Sequence, residues 1–116
     1  MNAVDLTRLR KAIDLQRARM AEQIEGLQRS FADIVEAAEL TSTDDEHDPE
    51  GPTIAYERAL VSALLRQASD DLVALDEALG RIDDGTIQIC VECGGPIELT
   101  RLLALPGVHA CIGCAR

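Results

Sequence analysis

Four cysteines and a cluster of carboxylates are the residues of this chain whose types and spacing suit chemistry. The cysteines fall as Cys90 and Cys93, then, after seventeen intervening residues, Cys111 and Cys114. Two residues between cysteines let the backbone turn so that both sulfurs face one point, while following amides donate hydrogen bonds to the thiolates. Two such pairs form the pattern of a four-cysteine zinc site. Gly94 suits the first turn, because glycine takes positive φ without steric cost. Four sulfurs close the coordination shell, so the expected cofactor is one structural Zn(2+) with no open position for catalysis. A redox dithiol needs only one of the pairs, and iron is the rival occupant that ligand softness allows. His109, two residues before Cys111, reads as a surface side chain beside a ligand set already complete.

The second cluster is "TSTDDEHDPEGP", residues 41–52, where Asp44, Asp45, Glu46, Asp48 and Glu50 put five acids into seven residues. Carboxylates crowded on a turn cannot satisfy one another. They can approach a divalent cation, or the basic residues that position one, on a partner. Taken alone they read as solvated charges. No lone reactive cysteine, no histidine beside a nucleophile and no phosphate-binding glycine loop is present, so the chain does not read as an enzyme.

The elements that must position these clusters are legible as helices. From Leu6 every seventh residue is apolar: Leu6, Ile13, Met20, Leu27 and Ile34. A second seam position four residues later reads Arg10, Arg17, Ile24, Phe31 and Ala38, charged first and apolar beyond. A second run repeats the period with Ile54, Val61, Ala68, Leu75 and Ile82, accompanied by Arg58, Leu65, Leu72 and Leu79. Two helices with one apolar stripe each, joined by a short polar segment, bury each other most simply as an antiparallel coiled-coil hairpin. The first helix is expected over about residues 4–40, a rod of roughly 55 Å at 1.5 Å per residue, and the second over about 53–84. Asp48 before Pro49 suits an N-cap for the second helix, with Thr53 as the competing cap, and Gly85 suits its C-terminal stop. The expected fold is therefore mainly α: a hairpin over 1–85 with an acidic tip at 41–52, and a small four-cysteine zinc finger over 86–116.

Composition agrees with this arrangement. The 116 residues hold one Phe, one Tyr and no Trp, yet 47% are apolar, mostly the Ala, Leu, Ile and Val of helix seams. A net charge of −10 argues against affinity for nucleic-acid backbones, which draw their binding energy from Lys and Arg displacing counterions. The cations are concentrated in Arg8, Arg10, Lys11, Arg17 and Arg19, while residues 20–50 carry ten acids against Arg29. No apolar run approaches the roughly 20 residues needed to span a bilayer, and the start has no signal-peptide core, so a cytoplasmic protein without membrane contact is expected.

An acidic-tipped hairpin followed by this finger resembles the DksA/TraR family of bacterial transcription regulators. The most specific residues are Cys90, Cys93, Gly94, Pro96 and Ile97, then Arg101, Leu102, Ala104 and Pro106, then Cys111 and Cys114, which look like the family's C-x-x-C-G-x-P-I, R-L-x-A-x-P and C-x-x-C. The resemblance implies a protein that binds RNA polymerase rather than DNA, its coiled coil entering the secondary channel and its tip approaching the catalytic magnesium. The family's tip pattern is D-x-x-D-x-A. Asp45 and Asp48 match it, whereas Glu50 stands where alanine is expected. A nucleotide alarmone at the interface is left open. The rival readings are a Gre-like transcript-cleavage factor and a zinc-finger, coiled-coil adapter for some other protein.

Overall fold

A computed structural model describes residues 1–40 and 50–115. Three helices follow in order: α1 over Ala3–Leu40, α2 over Glu50–Asp84 and α3 over Leu99–Ala104. No described helix is long and apolar enough to cross a membrane. The chain divides into two compact units, one made of Met1–Met20 with Asp71–Arg116, the other of Ala21–Asp70.

Local chemistry sets the helix ends. At the start of α1 the side-chain Oδ1 of Asn2 accepts the Asp5 amide at 2.8 Å, satisfying one of the donors that a helix start leaves free. The α2 helix begins at Glu50, so Thr53, expected as a competing cap, lies inside its first turn. Pro52 is tolerated there because the first-turn amides have no intrahelical acceptor. The expected Asp48 cap lies outside the described residues. At the other end of α2, Gly85 takes φ +80° and the amides of Gly85 and Thr86 return to the carbonyls of Ile82 and Arg81, at 3.3 and 2.9 Å. This is the Schellman arrangement expected from a glycine just past the last turn.

In the first unit, two ion pairs fix the direction of the helices. Arg10 meets Asp83 at 2.5 Å and Arg17 meets Asp76 at 2.6 Å, so α1 advances seven residues while α2 retreats seven. The helices are antiparallel. The two seam positions that the sequence leaves charged are therefore paired with acids across the hairpin. The Arg17 Nε is buried without an aligned hydrogen-bond partner, which makes this contact one of charge rather than of hydrogen-bond geometry. Leu9, 0% exposed, and Ala78, also 0%, are core positions outside the predicted seams. Both helices need a wider apolar face here because they receive the finger as well as each other.

One core results. Leu9 and Ile13 of α1, Leu75, Ala78 and Ile82 of α2, and Ile87, Cys90, Ile97, Leu102 and Ala110 of the C-terminal segment form a single buried cluster. In the second unit the seam residues Ile24, Leu27, Phe31, Ile34 and Ala38 of α1 and Ile54, Val61 and Leu65 of α2 are half-buried, and Ala68 is buried. A two-helix contact shields only one flank of each side chain, whereas the three-way packing of the first unit closes over them.

Leu9 and Leu15 make a test, the same residue type less than two turns apart on α1, the first fully buried and the second 54% exposed. Leu9→Ala is expected to lower unfolding free energy by about 2–5 kcal/mol, and Leu15→Ala to change it by under about 0.5 kcal/mol. Urea denaturation of the two variants measures both.

Candidate metal centre

After Gly85 the chain folds back through two knuckles. The amide of Cys90 donates to the Gly95 carbonyl at 2.8 Å and that of Gly94 to the Cys90 carbonyl at 2.9 Å, closing the first turn. Gly94 takes φ +73°, the conformation for which glycine was expected. Ile89 and Pro96 form an isolated antiparallel bridge across this turn, which is all the strand structure that the alternation of Ile87, Ile89 and Val91 yields. In the second knuckle the amides of Cys114 and Ala115 return to the Cys111 carbonyl at 3.1 and 2.9 Å. The Val91 amide donates to the His109 carbonyl at 3.0 Å and ties the two knuckles together; the His109 side chain is exposed.

Between the knuckles, α3 is an element that the sequence reading missed. Its signal was "LTRLLALPG", an apolar face closed by proline and glycine. Leu102 of α3 is 1% exposed in the core, and Arg101 reaches out to donate from Nε to the Ala110 carbonyl at 3.1 Å. Arg81 of α2 donates to the Val108 carbonyl at 3.4 Å. Two arginines thus hold the segment that delivers Cys111. Gly107 turns this segment against α2 with φ +96°; a Cβ there would lie 3.4 Å from Leu75. Pro106, just beyond α3, is half-buried. Neither Arg81 nor Gly107 was legible as a site residue, since their partners are backbone groups brought near only by folding.

The four sulfurs meet. All lie within 4.8 Å of one another, and those of Cys93 and Cys111 are 3.7 Å apart. Four thiolates about 2.3 Å from a central zinc lie about 3.8 Å from each other in a tetrahedron, so the spacing suits that ion. The Cys111 amide donates to the Cys90 sulfur at 3.2 Å and the Gly95 amide to the Cys93 sulfur at 3.4 Å. Hydrogen bonds from the Cys111 and then the Cys93 amide hold the Cys90 thiol down, from 9.0 to about 6. The Cys114 amide, followed by the Cys114 side chain, lowers Cys111. Cys114 is pushed up to about 12 by its contacts with the sulfurs of Cys111, Cys93 and Cys90. Neighbouring sulfurs cannot all carry negative charge unless a cation lies between them, which is the donor chemistry of a thiolate metal site.

The other predicted cluster is not brought into view: Asp44, Asp45, Glu46 and Asp48 lie outside the described residues, and of Glu50 only the backbone is described, as the first residue of α2.

Fold and site together define a helical hairpin whose base carries a closed four-cysteine zinc finger. Residues 85–116 match the prokaryotic dksA/traR C4-type zinc finger. The chain is also similar to the structure of transcription factor DksA2 from Pseudomonas aeruginosa, with a TM-score of 0.79 and 28% identity over 97% of this chain and 81% of that one. No curated protein sequence matches. The C-terminal segment is thus similar to the dksA/traR C4-type zinc finger, and the chain as a whole has a DksA-like fold.

The pKa directions set the pH dependence of metal loading. Cys90, lowered to about 6, supplies a thiolate at neutral pH and loses it as pH falls through that value, while the raised Cys114 must release a proton when metal enters. Apparent zinc affinity is therefore expected to rise with pH from 5 to 8, with proton release on loading, as measured by competition against a chromophoric chelator. Chelation at neutral pH should expose the segment after Gly85 to protease.

Proposed function

We propose that this protein is a transcription regulator that binds RNA polymerase directly, with the hairpin directing its acidic tip into the secondary channel toward the catalytic magnesium. The similarity to a transcription factor over 97% of the chain, hairpin and finger alike, carries this reading. A finger alone would be compatible with many partners. Here the finger shares one core with α1 and α2.

In this reading Cys90, Cys93, Cys111 and Cys114 hold one structural zinc ion, and Gly94, Pro96, Arg101 and Pro106 shape the knuckles around it. The tip acts through Asp45 and Asp48, with Asp44, Glu46 and Glu50 adding negative charge around them. The partner supplies the reacting atoms, and the protein itself catalyses nothing. Carboxylates placed near a metal-dependent centre alter the local field and compete for, or support, its cation. Sequence-specific DNA contacts play no part, in keeping with the net charge of −10.

In vitro transcription with purified polymerase tests the proposal, comparing the wild type with Asp45→Asn plus Asp48→Asn. The variant is expected to retain polymerase binding and to lose its effect on transcript yield. Equal effects of the two proteins would sink the role of the tip charge. Shortened transcripts released from stalled complexes only by the wild type would move the reading to a cleavage factor.

A further inference from the structure

The charges on the outer face of α1 change sign along its length. α1 is a single helix over Ala3–Leu40, and at about 100° per residue Val4, Arg8, Lys11, Leu15 and Arg19 fall opposite the buried Leu9, Ile13 and Met20. All five are exposed. Beyond Met20 the same face continues through Glu22, Arg29, Asp33, Glu36 and Leu40, also exposed, with exposed Glu25 at its edge. The first stretch therefore presents three cations, with Asp14 off to one side, and the second presents four acids around Arg29. Arg8 has only a loose contact with Asp5 at 3.9 Å, and Lys11, Arg19, Glu22, Glu25, Asp33 and Glu36 have no ion-pair partner among the described residues. Val4, 68% exposed, and Leu40, 79% exposed, stand at opposite ends of this face.

We infer that this face of α1 pairs with the same face of a second copy of the chain, the two helices antiparallel, with the basic half of each against the acidic half of the other. Charge complementarity names the occupant: a uniformly acidic or uniformly basic partner would match only one half of the face. One antiparallel register sets Arg8 against Glu36, Lys11 against Asp33, Arg19 against Glu25 and Val4 against Leu40, each contact occurring twice about the two-fold axis. Leu15 then meets the stem of Arg29, which covers apolar surface while its guanidinium stays in water. Glu22 lies on the axis against its own copy, the one repelling contact of the register. A parallel pair would set the cations against cations and the acids against acids, a cost that disfavours it. A face roughly 55 Å long and about 10 Å wide covers on the order of 500 Å² of each copy, the low end for a specific contact, so the pairing is reversible and depends on concentration. It is independent of the polymerase reading.

Sedimentation velocity over a concentration series tests this with the full chain, at about 0.1 M salt, where screening over about 10 Å limits the general repulsion of two acidic chains. The samples are the wild type, Arg8→Glu plus Lys11→Glu, Asp33→Lys plus Glu36→Lys, and these two variants mixed in equal amounts. The wild type is expected to self-associate, and each double reversal to weaken association on the order of tenfold. The mixture should recover wild-type affinity, because the reversed charges of one variant then face those of the other. Glu22→Gln should tighten the pair. Melting temperatures should stay near the wild-type value, since all these side chains are exposed, which separates lost pairing from lost folding. A wild type that stays monomeric throughout the series overturns the inference. So does association unchanged by both reversals, which puts the interface elsewhere. Stronger association of Asp33→Lys plus Glu36→Lys would reflect only its smaller net negative charge and rejects the pairing. Weakening without recovery in the mixture rejects the antiparallel register, and the proposal with it.

Discussion

The burial of Cys90 inside the core shared by α1, α2 and the finger is the constraint on which the first unit depends. Cys90 is 1% exposed and belongs to the same cluster as Leu9, Ile13, Leu75 and Ile97. A metal ligand that is also a core residue couples two processes that are separate in many zinc proteins. Packing the helices fixes one sulfur, and gathering the other three around it fixes the finger against the helices. A finger of about thirty residues has too little apolar surface to fold alone without metal. Here the helix faces supply the missing surface and the metal site supplies the closure.

This coupling explains details that look unrelated one by one. Arg81 and Arg101 each spend a guanidinium group on a backbone carbonyl of the segment before Cys111. That segment runs across α2, where Gly107 alone fits its positive φ. Arg10 and Arg17 occupy positions where a seam would ordinarily be apolar, and their acids Asp83 and Asp76 stand where the antiparallel register requires. Exposed ion pairs contribute little stability. Their value here lies in register: a slip of the two helices would separate both pairs and shift Leu75 and Ile82 away from the finger.

The same packing divides the cations of α1, with Arg10 and Arg17 paired across to α2. The core-facing side of α1 is committed to the finger and to α2. On its opposite side Lys11 and Arg19 are exposed and have no ion-pair partner among the described residues.

Sequence alone determined the zinc ligand set, the helical hairpin and the stop at Gly85, because each rests on a local or periodic rule: knuckle spacing, a period of seven, and the preference of a left-handed residue for glycine. It also marked the acidic tip as a cluster, although Asp45 and Asp48 stand outside the described residues. It could not identify Leu9 and Ala78 as core, or Arg81 and Gly107 as supports of the cysteine segment. The physical reason is common to all four cases. Their environments are made by residues distant in the chain, so a two-helix seam predicts too narrow a core, and a backbone carbonyl acquires its arginine only after the finger has closed on α2. Likewise the sequence counted five basic residues near the start, and only the tertiary structure decided which two are consumed by the fold and which three face outward.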